Sequence, residues 1–385
     1  MTANLLFLGR SSSLAQAELR SFFPDFTLLS PDIVSVPQSE IQVNGTAVPL
    51  SNVLSVIAGT VKIAEVLDTM PACDPVRIAK AIRSRSDPEK PVTFGISYYG
   101  RSPVKLDVVL KDVKDLLSGG PRSVRYVRSR DGSALSAVVI KNQDVTDIDI
   151  VESDGTFIIA KTIAVQEFEE WGKRDYGRPY ADPKAGMLPP KIARMIVNIA
   201  LGPDASGKTL WDPFCGMGTI LGEAWERGAT VIGSDADPDA VTKCRKNMEW
   251  LSKDTTDRIR VFASDATHIS SEKDVGLVDA VVTEPYMGPT KLGEHNQFEL
   301  ERSKNIFKGL VKLYIGCLRE WSQVLKPEGH IMMALPTMVW KNREYTVKKI
   351  IDMCENLGYT KVLGPLPYSR PGAIIRREFY LFRKN

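Results

Sequence analysis

Four acids in this chain each follow a short apolar run: Asp212, Asp235, Asp265 and Glu284. The first stands in TLWDPFCGMGTI (209–220), which reads as a strand, an acid, two glycines one residue apart and a helix start. Gly216 and Gly218 remove side chains where strand turns into helix, so a ligand can come close to the backbone amides. Phe214, Cys215 and Thr219 belong to the same loop. Asp235 closes the next apolar run, 19 residues after Gly216, where a carboxylate can accept from the two ribose hydroxyls of a nucleotide-type cofactor. Asp265, followed by Ala266 in SDAT, is placed to accept from an adenine amino group. The full G-x-G-x-x-G pattern is not met, because Ile220 and Leu221 follow Thr219. Asp212 would repel a pyrophosphate but suits a cationic amino group. The chemistry therefore favours S-adenosylmethionine, with its ammonium and sulfonium, over NAD. Helix capping explains one such acid, but three at successive strand ends are more than capping predicts.

The fourth acid stands in VDAVVTEPYMGP (278–289). A base amino group is a poor nucleophile because its lone pair is delocalised into the ring. To take a methyl group it must be held in line with the donor, its N–H bonds pointing at acceptors that stabilise the developing charge. Glu284 supplies one acceptor, the Pro285 carbonyl a second, and Tyr286 a flat face for stacking. Cys215 lies within the donor loop and reads as a small buried thiol rather than a nucleophile. The three histidines stand apart and the five cysteines form no C-x-x-C pair, so neither a metal site nor a disulfide framework is expected. His295, in the loop after Glu284, is within possible reach of a substrate but reads as a surface residue.

These residues need a sheet to align them. From about residue 197 the chain alternates apolar runs with helical patterns, the signature of a doubly wound α/β sheet. Strands are predicted at 209–212, 230–234, 260–263, 279–283, 330–335, 361–363 and 378–383, and helices at 220–227, 238–251, 299–324 and 345–357. Asp237 and Pro238 suit a helix start and Gly228 a helix stop. A Leu-Lys-Pro-Glu-Gly turn at 325–329 is predicted to end the long helix. The last two strands lack room for a crossover helix between them, so they are expected to pair antiparallel.

At 385 residues the chain is long enough for two or three domains. No apolar run reaches membrane-spanning length, and MTANLLFLGR has its arginine after the apolar stretch, so the chain reads as cytoplasmic, with no signal peptide and no anchor. The net charge is +3, yet residues 77–130 hold 13 Lys and Arg against five acids. Within that stretch RSVRYVRSR sets Arg122, Arg125, Arg128 and Arg130 around Tyr126. On a strand, Arg122, Tyr126, Arg128 and Arg130 would share one face and Arg125 take the other. Tyr98 and Tyr99 add stacking surface, and the cluster suits a phosphate backbone. The first 165 residues read as small α+β pieces, with strands at 5–8, 93–98, 123–127 and 138–141 and helices at 14–22, 75–84 and 104–117. Glycines and prolines over 176–190 mark the best linker candidate.

Taken together, GTVKIAEVL (59–67), FGISYYG, SVRYVRS, KRDYGRPYADPKAGMLPPKIARMIVNIA (173–200) and DPFCGMGTI resemble the THUMP-domain tRNA guanine-N2 methyltransferases, the type acting on guanine at position 10. The resemblance covers nearly the whole chain. It implies a Rossmann-like class I methyltransferase domain at 191–385 with an antiparallel terminal hairpin, and a linker at 166–190. Before these it implies an α+β, ferredoxin-like domain at 1–65 and a THUMP-like RNA-binding domain at 66–165. Asp212, Phe214, Cys215, Gly216, Gly218, Thr219, Asp235, Asp265 and Ala266 would line the methyl-donor site, and Glu284, Pro285 and Tyr286 would hold the target amine. The arginine cluster would meet tRNA, with room left for an activating protein subunit. The family usually shows Asp-Pro-Pro-Tyr where this chain has Glu284-Pro285-Tyr286-Met287. An acid-Pro-Tyr pocket does not choose the base by itself. Adenine or cytosine as target, or an inactive RNA-binding scaffold, therefore stand as alternatives.

Overall fold

The computed structural model describes residues 3–87, 89–118, 122–129, 132–181, 187–253, 257–269, 275–288, 297–340, 343–370, 373 and 375–385. These form two compact units. The first comprises Met1–Ser12, Phe23–Gln42 and Ala47–Phe168, and the second Ser13–Phe22, Val43–Thr46 and Glu169–Asn385.

The first unit opens with strand β1 (Asn4–Leu8) and helix α1 (Ser12–Phe22), most of which packs in the second unit. Strands β2 (Thr27–Ser30) and β3 (Ile33–Val36), the two-stranded pair β4 (Glu40–Val43) and β5 (Thr46–Pro49), and β6 (Thr60–Met70) follow. Next come α2 (Pro75–Ser84), β7 (Val92–Tyr99), α3 (Leu106–Leu117), β8 (Val124–Val127), α4 (Ala137–Asn142), β9 (Thr146–Ser153) and β10 (Thr156–Val165). One eight-stranded sheet runs β2-β3-β1-β6-β10-β9-β7-β8. Strand β6 crosses position 65, so residues on either side of that point share a sheet. Ile78, Ile82, Leu110, Val113 and Leu117 of α2 and α3 pack with Phe94, Ile148, Ile150 and Ile159 from the sheet.

The second unit continues with α5 (Phe168–Tyr176), α6 (Pro190–Leu201), β11 (Thr209–Asp212), α7 (Thr219–Glu226), β12 (Thr230–Asp235), α8 (Pro238–Ser252), β13 (Ile259–Ala263), β14 (Val278–Thr283) and α9 (Gln297–Val324). It ends with β15 (Leu325–Trp340), β16 (Arg343–Thr346), α10 (Lys349–Met353), β17 (Tyr359–Tyr368) and β18 (Ile375–Lys384). The sheet order is β13-β12-β11-β14-β15-β18-β17, parallel from β13 through β15 and antiparallel at β18 and β17. The doubly wound sheet with its terminal hairpin is thus as expected. Its core gathers Trp211, Tyr314, Trp321, Ile331, Met333, Tyr359 and Phe382. The reversal of direction after β11 leaves neighbours β12 and β14 on opposite sides of it, and the crevice at that point is where open α/β sheets hold ligands. Asp237 caps α8 by accepting from the Asp239 amide at 2.9 Å, and Gly228, at φ +91°, follows the end of α7.

Three local expectations fail, each for a visible reason. Residues 138–141 are the helix α4, not a strand: Ser136 caps the turn, its hydroxyl accepting from the Val139 amide. The predicted turn at 325–329 lies inside β15, where Leu325 already pairs with Val278 and an irregularity with Glu328 at φ +59° absorbs the Pro-Glu-Gly sequence. The predicted helix at 345–357 begins as strand, because β15 runs on far enough for Thr337 and Met338 to pair with Thr346 and Tyr345.

Candidate active site

Cys215 donates its amide to the Ser234 carbonyl at 2.9 Å, which ties the loop after β11 to the neighbouring strand. The loop then turns through Gly216 at φ +48° and Gly218 at φ +80° before α7 begins at Thr219. A side chain at Gly218 would also meet Cys244 Sγ at 2.7 Å, so this position demands glycine twice over. Asp235, ending β12, accepts from the Gly216 amide at 2.9 Å and the Asp237 amide at 3.0 Å. The second acid therefore holds the glycine turn in shape before any ligand arrives.

Asp212 ends β11 and is 1% exposed. One of its oxygens accepts from the Thr283 hydroxyl at 2.6 Å and the Phe214 amide at 3.1 Å. Burial pushes its pKa up from 3.8 to about 7, helped by the charges of Asp235 and Glu284, while the two hydrogen bonds pull the other way. Its other oxygen has no hydrogen-bond partner among the described residues.

Glu284 follows β14. Its carboxylate is buried, which raises its pKa, and Arg377 on β18 opposes that by donating Nε–H to Oε1, with the positive charge of Arg370 adding to the opposition. The strand register explains the partnership. Thr283 of β14 lies beside Met333 of β15, and Pro336, three residues on, lies opposite Arg377. The loop beyond Glu284 is held by Tyr314 of α9, whose hydroxyl donates to the Tyr286 carbonyl at 2.6 Å. The Tyr286 ring itself is 58% exposed.

These groups surround one cavity of about 770 Å³. Of the residues expected at the donor site, Asp212, Phe214, Cys215, Gly216, Thr219 and Asp235 line it, together with Glu284, Pro285 and Tyr286. Gly218, Asp265 and Ala266 do not. Asp265 caps its own turn, accepting from the Thr267 amide and hydroxyl at 2.8 Å each, bonds that lower its pKa. Ala266 is buried, its carbonyl accepting from Trp321 Nε1 at 3.1 Å. Cys215 is buried, and its contact with Cys244 together with desolvation raises its pKa well above the usual thiol range, the opposite of an activated nucleophile. The reading missed Met187, Asp237, Arg370 and Arg377, which also line the cavity. Arg178 was missed as well; it donates to the Thr219 hydroxyl at 2.7 Å. Two arginines within REFY-like and YSRPG-like surroundings carry no spacing that marks them.

The cavity suits a cationic donor. A buried carboxylate with one free oxygen, pushed toward protonation for want of a countercharge, is stabilised when an ammonium or sulfonium enters. The class of ligand that meets this need is S-adenosylmethionine, for whose ribose hydroxyls Asp235 is the expected acceptor. Among the described residues no group of three His, Cys, Asp or Glu stands ready for a metal ion, and His295 lies outside the described residues.

The arginine cluster belongs to the first unit. Arg122 donates to the Ser86 hydroxyl at 3.0 Å and the Asp87 carbonyl at 2.9 Å, and Arg125 to the Thr93 hydroxyl at 2.8 Å. Arg128 lies over the Tyr126 ring, 5.5 Å from its centre, and pairs with Asp107 at 3.3 Å. Arg130 lies outside the described residues. Tyr126 and Arg128 share a face, Arg128 also donating to the Tyr126 hydroxyl at 3.2 Å, while the Tyr126 ring packs against Phe94 with ring centres 6.1 Å apart.

Comparison with known proteins places this geometry. Residues 177–340 match the family model described as RMKL-like, methyltransferase domain. The tRNA (guanine(10)-N2)-dimethyltransferase of Methanothermobacter thermautotrophicus is 38% identical over 133 residues, 34% of this chain and 37% of that protein. The "Probable tRNA (guanine(10)-N2)-dimethyltransferase" of Methanothermococcus thermolithotrophicus is 31% identical over 148 residues, 37% of this chain and 78% of that protein. The chain belongs to the tRNA (guanine(10)-N2)-dimethyltransferase family. It spans between about a third and a half of the length of the first curated relatives, 37%, 49% and 54%. The solved structure of TrmN from Thermus thermophilus matches over 100% of both chains, with a TM-score of 0.56 and 15% identity. That likeness shows the fold: an α+β N-terminal region followed by a Rossmann-like methyltransferase sheet with antiparallel terminal strands.

Proposed function

We propose that this protein transfers a methyl group from S-adenosylmethionine to the exocyclic N2 amine of a guanine in tRNA. The observation that carries the reading is that the donor-loop residues and Glu284-Pro285-Tyr286 open into one cavity. When bound, S-adenosylmethionine supplies an electrophilic methyl carbon on its sulfonium. The chain's own work is placement. Asp212 meets the donor's positive charge, Asp235 and the glycine turn receive the ribose side, and Glu284 accepts an N–H from the incoming amine. The Pro285 carbonyl is the second acceptor, and Tyr286 offers its exposed ring to a base turned out of its stack. Orientation of this kind is worth several kcal/mol of barrier, which is why Tyr314 anchoring the loop matters. The arginines of the first unit are assigned to the phosphate backbone, with Arg125 and Arg128 better placed than Arg122, whose guanidinium already braces a turn. Residues 66–165 are assigned to RNA binding, 1–65 to an accessory α+β region, 166–190 to a linker and 191–385 to catalysis.

The test is methyl transfer from labelled donor to unmodified bulk tRNA, wild type against Glu284→Ala, with the product digested to nucleosides. Label in N2-methylguanosine or its dimethyl form, lost in the variant, supports the proposal. Label in an adenosine or cytidine derivative replaces the target base. No label despite measurable donor binding, even after an activating subunit is supplied from extract, sinks the enzymatic reading in favour of an RNA-binding scaffold.

A further inference from the structure

We infer that Arg377 is a positioning residue for the reaction: it holds Oε1 of Glu284 so that the carboxylate stays ionised and presents Oε2 to the acceptor amine. The inference rests on the proposed methyl transfer and adds to it a residue from the terminal hairpin. Arg377 Nε donates to Glu284 Oε1, and no other hydrogen bond to Glu284 exists among the described residues. Both side chains are largely buried, at 11% and 16% exposure, and both line the cavity. The arginine is itself held from below, its guanidinium 5.9 Å from the centre of the Tyr368 ring on β17. A planar cation stacked on an aromatic face and bonded to a carboxylate is a far stiffer arrangement than a lysine could make.

The surroundings of Glu284 make such a partner necessary. Asp212 on β11 and Asp235 on β12 share its cavity and disfavour a third negative charge. Burial raises the pKa of Tyr314 on α9, which keeps its hydroxyl neutral, the Tyr286 ring stands in the same cavity, and Arg370, beyond β17, adds a more distant positive charge. Without Arg377 the buried carboxyl would take up a proton, and its neutral form would meet the incoming N–H as an O–H donor and a much weaker acceptor, unable to take the amine's proton. The register Pro336 opposite Arg377 thus does catalytic service: a hairpin that closes the sheet also delivers the charge that keeps Glu284 an acceptor. Glu is one methylene longer than the Asp usual in the resembled family, and the added reach matches a carboxylate tethered to β18.

The test pairs a titration that needs no activity with one that does. In protein carrying glutamate labelled with carbon-13 at the side-chain carboxyl, the Glu284 resonance is assigned by its loss in Glu284→Gln. Its midpoint is then compared between wild type and Arg377→Met. A rise of a pH unit or more in Arg377→Met is expected, with Arg377→Lys between the two; an unchanged midpoint overturns the inference, whether or not any RNA is methylated. In the activity assay, the acid limb of the kcat profile is expected to move up with the titration. Activity of Arg377→Met at pH 7 should fall about tenfold and recover toward pH 9, with donor affinity within twofold of wild type. A loss of kcat that is uniform across pH would mean that Arg377 serves only the fold, and would overturn it. A wild type that methylates no nucleoside would refute the proposed function instead, leaving the carboxyl titration to decide the role of Arg377.

Discussion

Replacing Asp212 by Asn separates what its charge does for folding from what it does for binding. The carboxyl is 1% exposed and its pKa is raised from 3.8 to about 7, chiefly by burial. A folded pKa above the unfolded one means that the folded chain holds the proton more tightly. The group's favourable contribution is therefore complete below about pH 4, lost as pH rises toward 7, and constant above that. Three units correspond to about 4 kcal/mol, and relaxation around a cavity-lining group would leave about half of that. Asn keeps an oxygen for the Thr283 hydroxyl and the Phe214 amide, so the existing hydrogen bonds survive. Asp212→Asn is thus expected to be more stable than wild type at pH 8 by about 2 kcal/mol, a rise in melting temperature of about 4–8 °C. The advantage should shrink to nothing toward pH 4. Its affinity for S-adenosylmethionine should fall by about ten- to a hundredfold, the loss of one charge-assisted contact. Thermal melts of the ligand-free protein from pH 5 to 8, with calorimetric titration of donor into both forms, read the two effects. A variant that melts below wild type at pH 8, or binds donor equally well, refutes the reasoning.

Tyr314→Phe removes only the hydroxyl that fixes the Tyr286 carbonyl; single-turnover methylation is expected to slow about five- to tenfold, the equivalent of one hydrogen bond, with donor affinity unchanged. For RNA binding, the double variant Arg125→Ala/Arg128→Ala should weaken tRNA association and lower the slope of log K against log salt by about two, measured by filter binding at several salt concentrations. Arg122→Ala should leave that slope nearly as it was, because its guanidinium already serves Ser86 and Asp87.

The strand-end acids and the glycine turn were legible in the sequence because a parallel sheet imposes one rule: strands must be apolar through their length and polar where they end. Asp212, Asp235 and Glu284 obey it and reach one cavity. Asp265 obeys it equally and does not line that cavity, since its oxygens serve the turn at Thr267. The strand β9, TDIDIVES, misleads in the opposite way. Asp147 and Asp149 look like the solvated face of an alternating strand, yet both are buried, held by Lys62 and by the hydroxyls of Ser97 and Thr162. The alternation is present, but the face that it marks as wet is covered. Arg377 and Arg370 were missed because their role comes from tertiary register alone.

The two acids proposed for the donor site, which the sequence could not rank, differ in kind. Asp235 spends one oxygen on the Gly216 amide and the other on the Asp237 amide, so it is part of the scaffold that shapes the loop. A carboxylate oxygen retains a second acceptor site, and ribose hydroxyls can be added without breaking those bonds. Asp212 has one oxygen committed and one free, in a site whose burial makes the charge costly until a cation arrives. On the proposed reading Asp235 therefore contributes preorganisation, present with or without ligand, while Asp212 contributes discrimination, since a neutral or anionic ligand in the same cavity gains nothing from it. That division follows from which lone pairs are already taken, and it explains why an acid before the glycines, which would repel a dinucleotide, is tolerated where the ligand is positively charged.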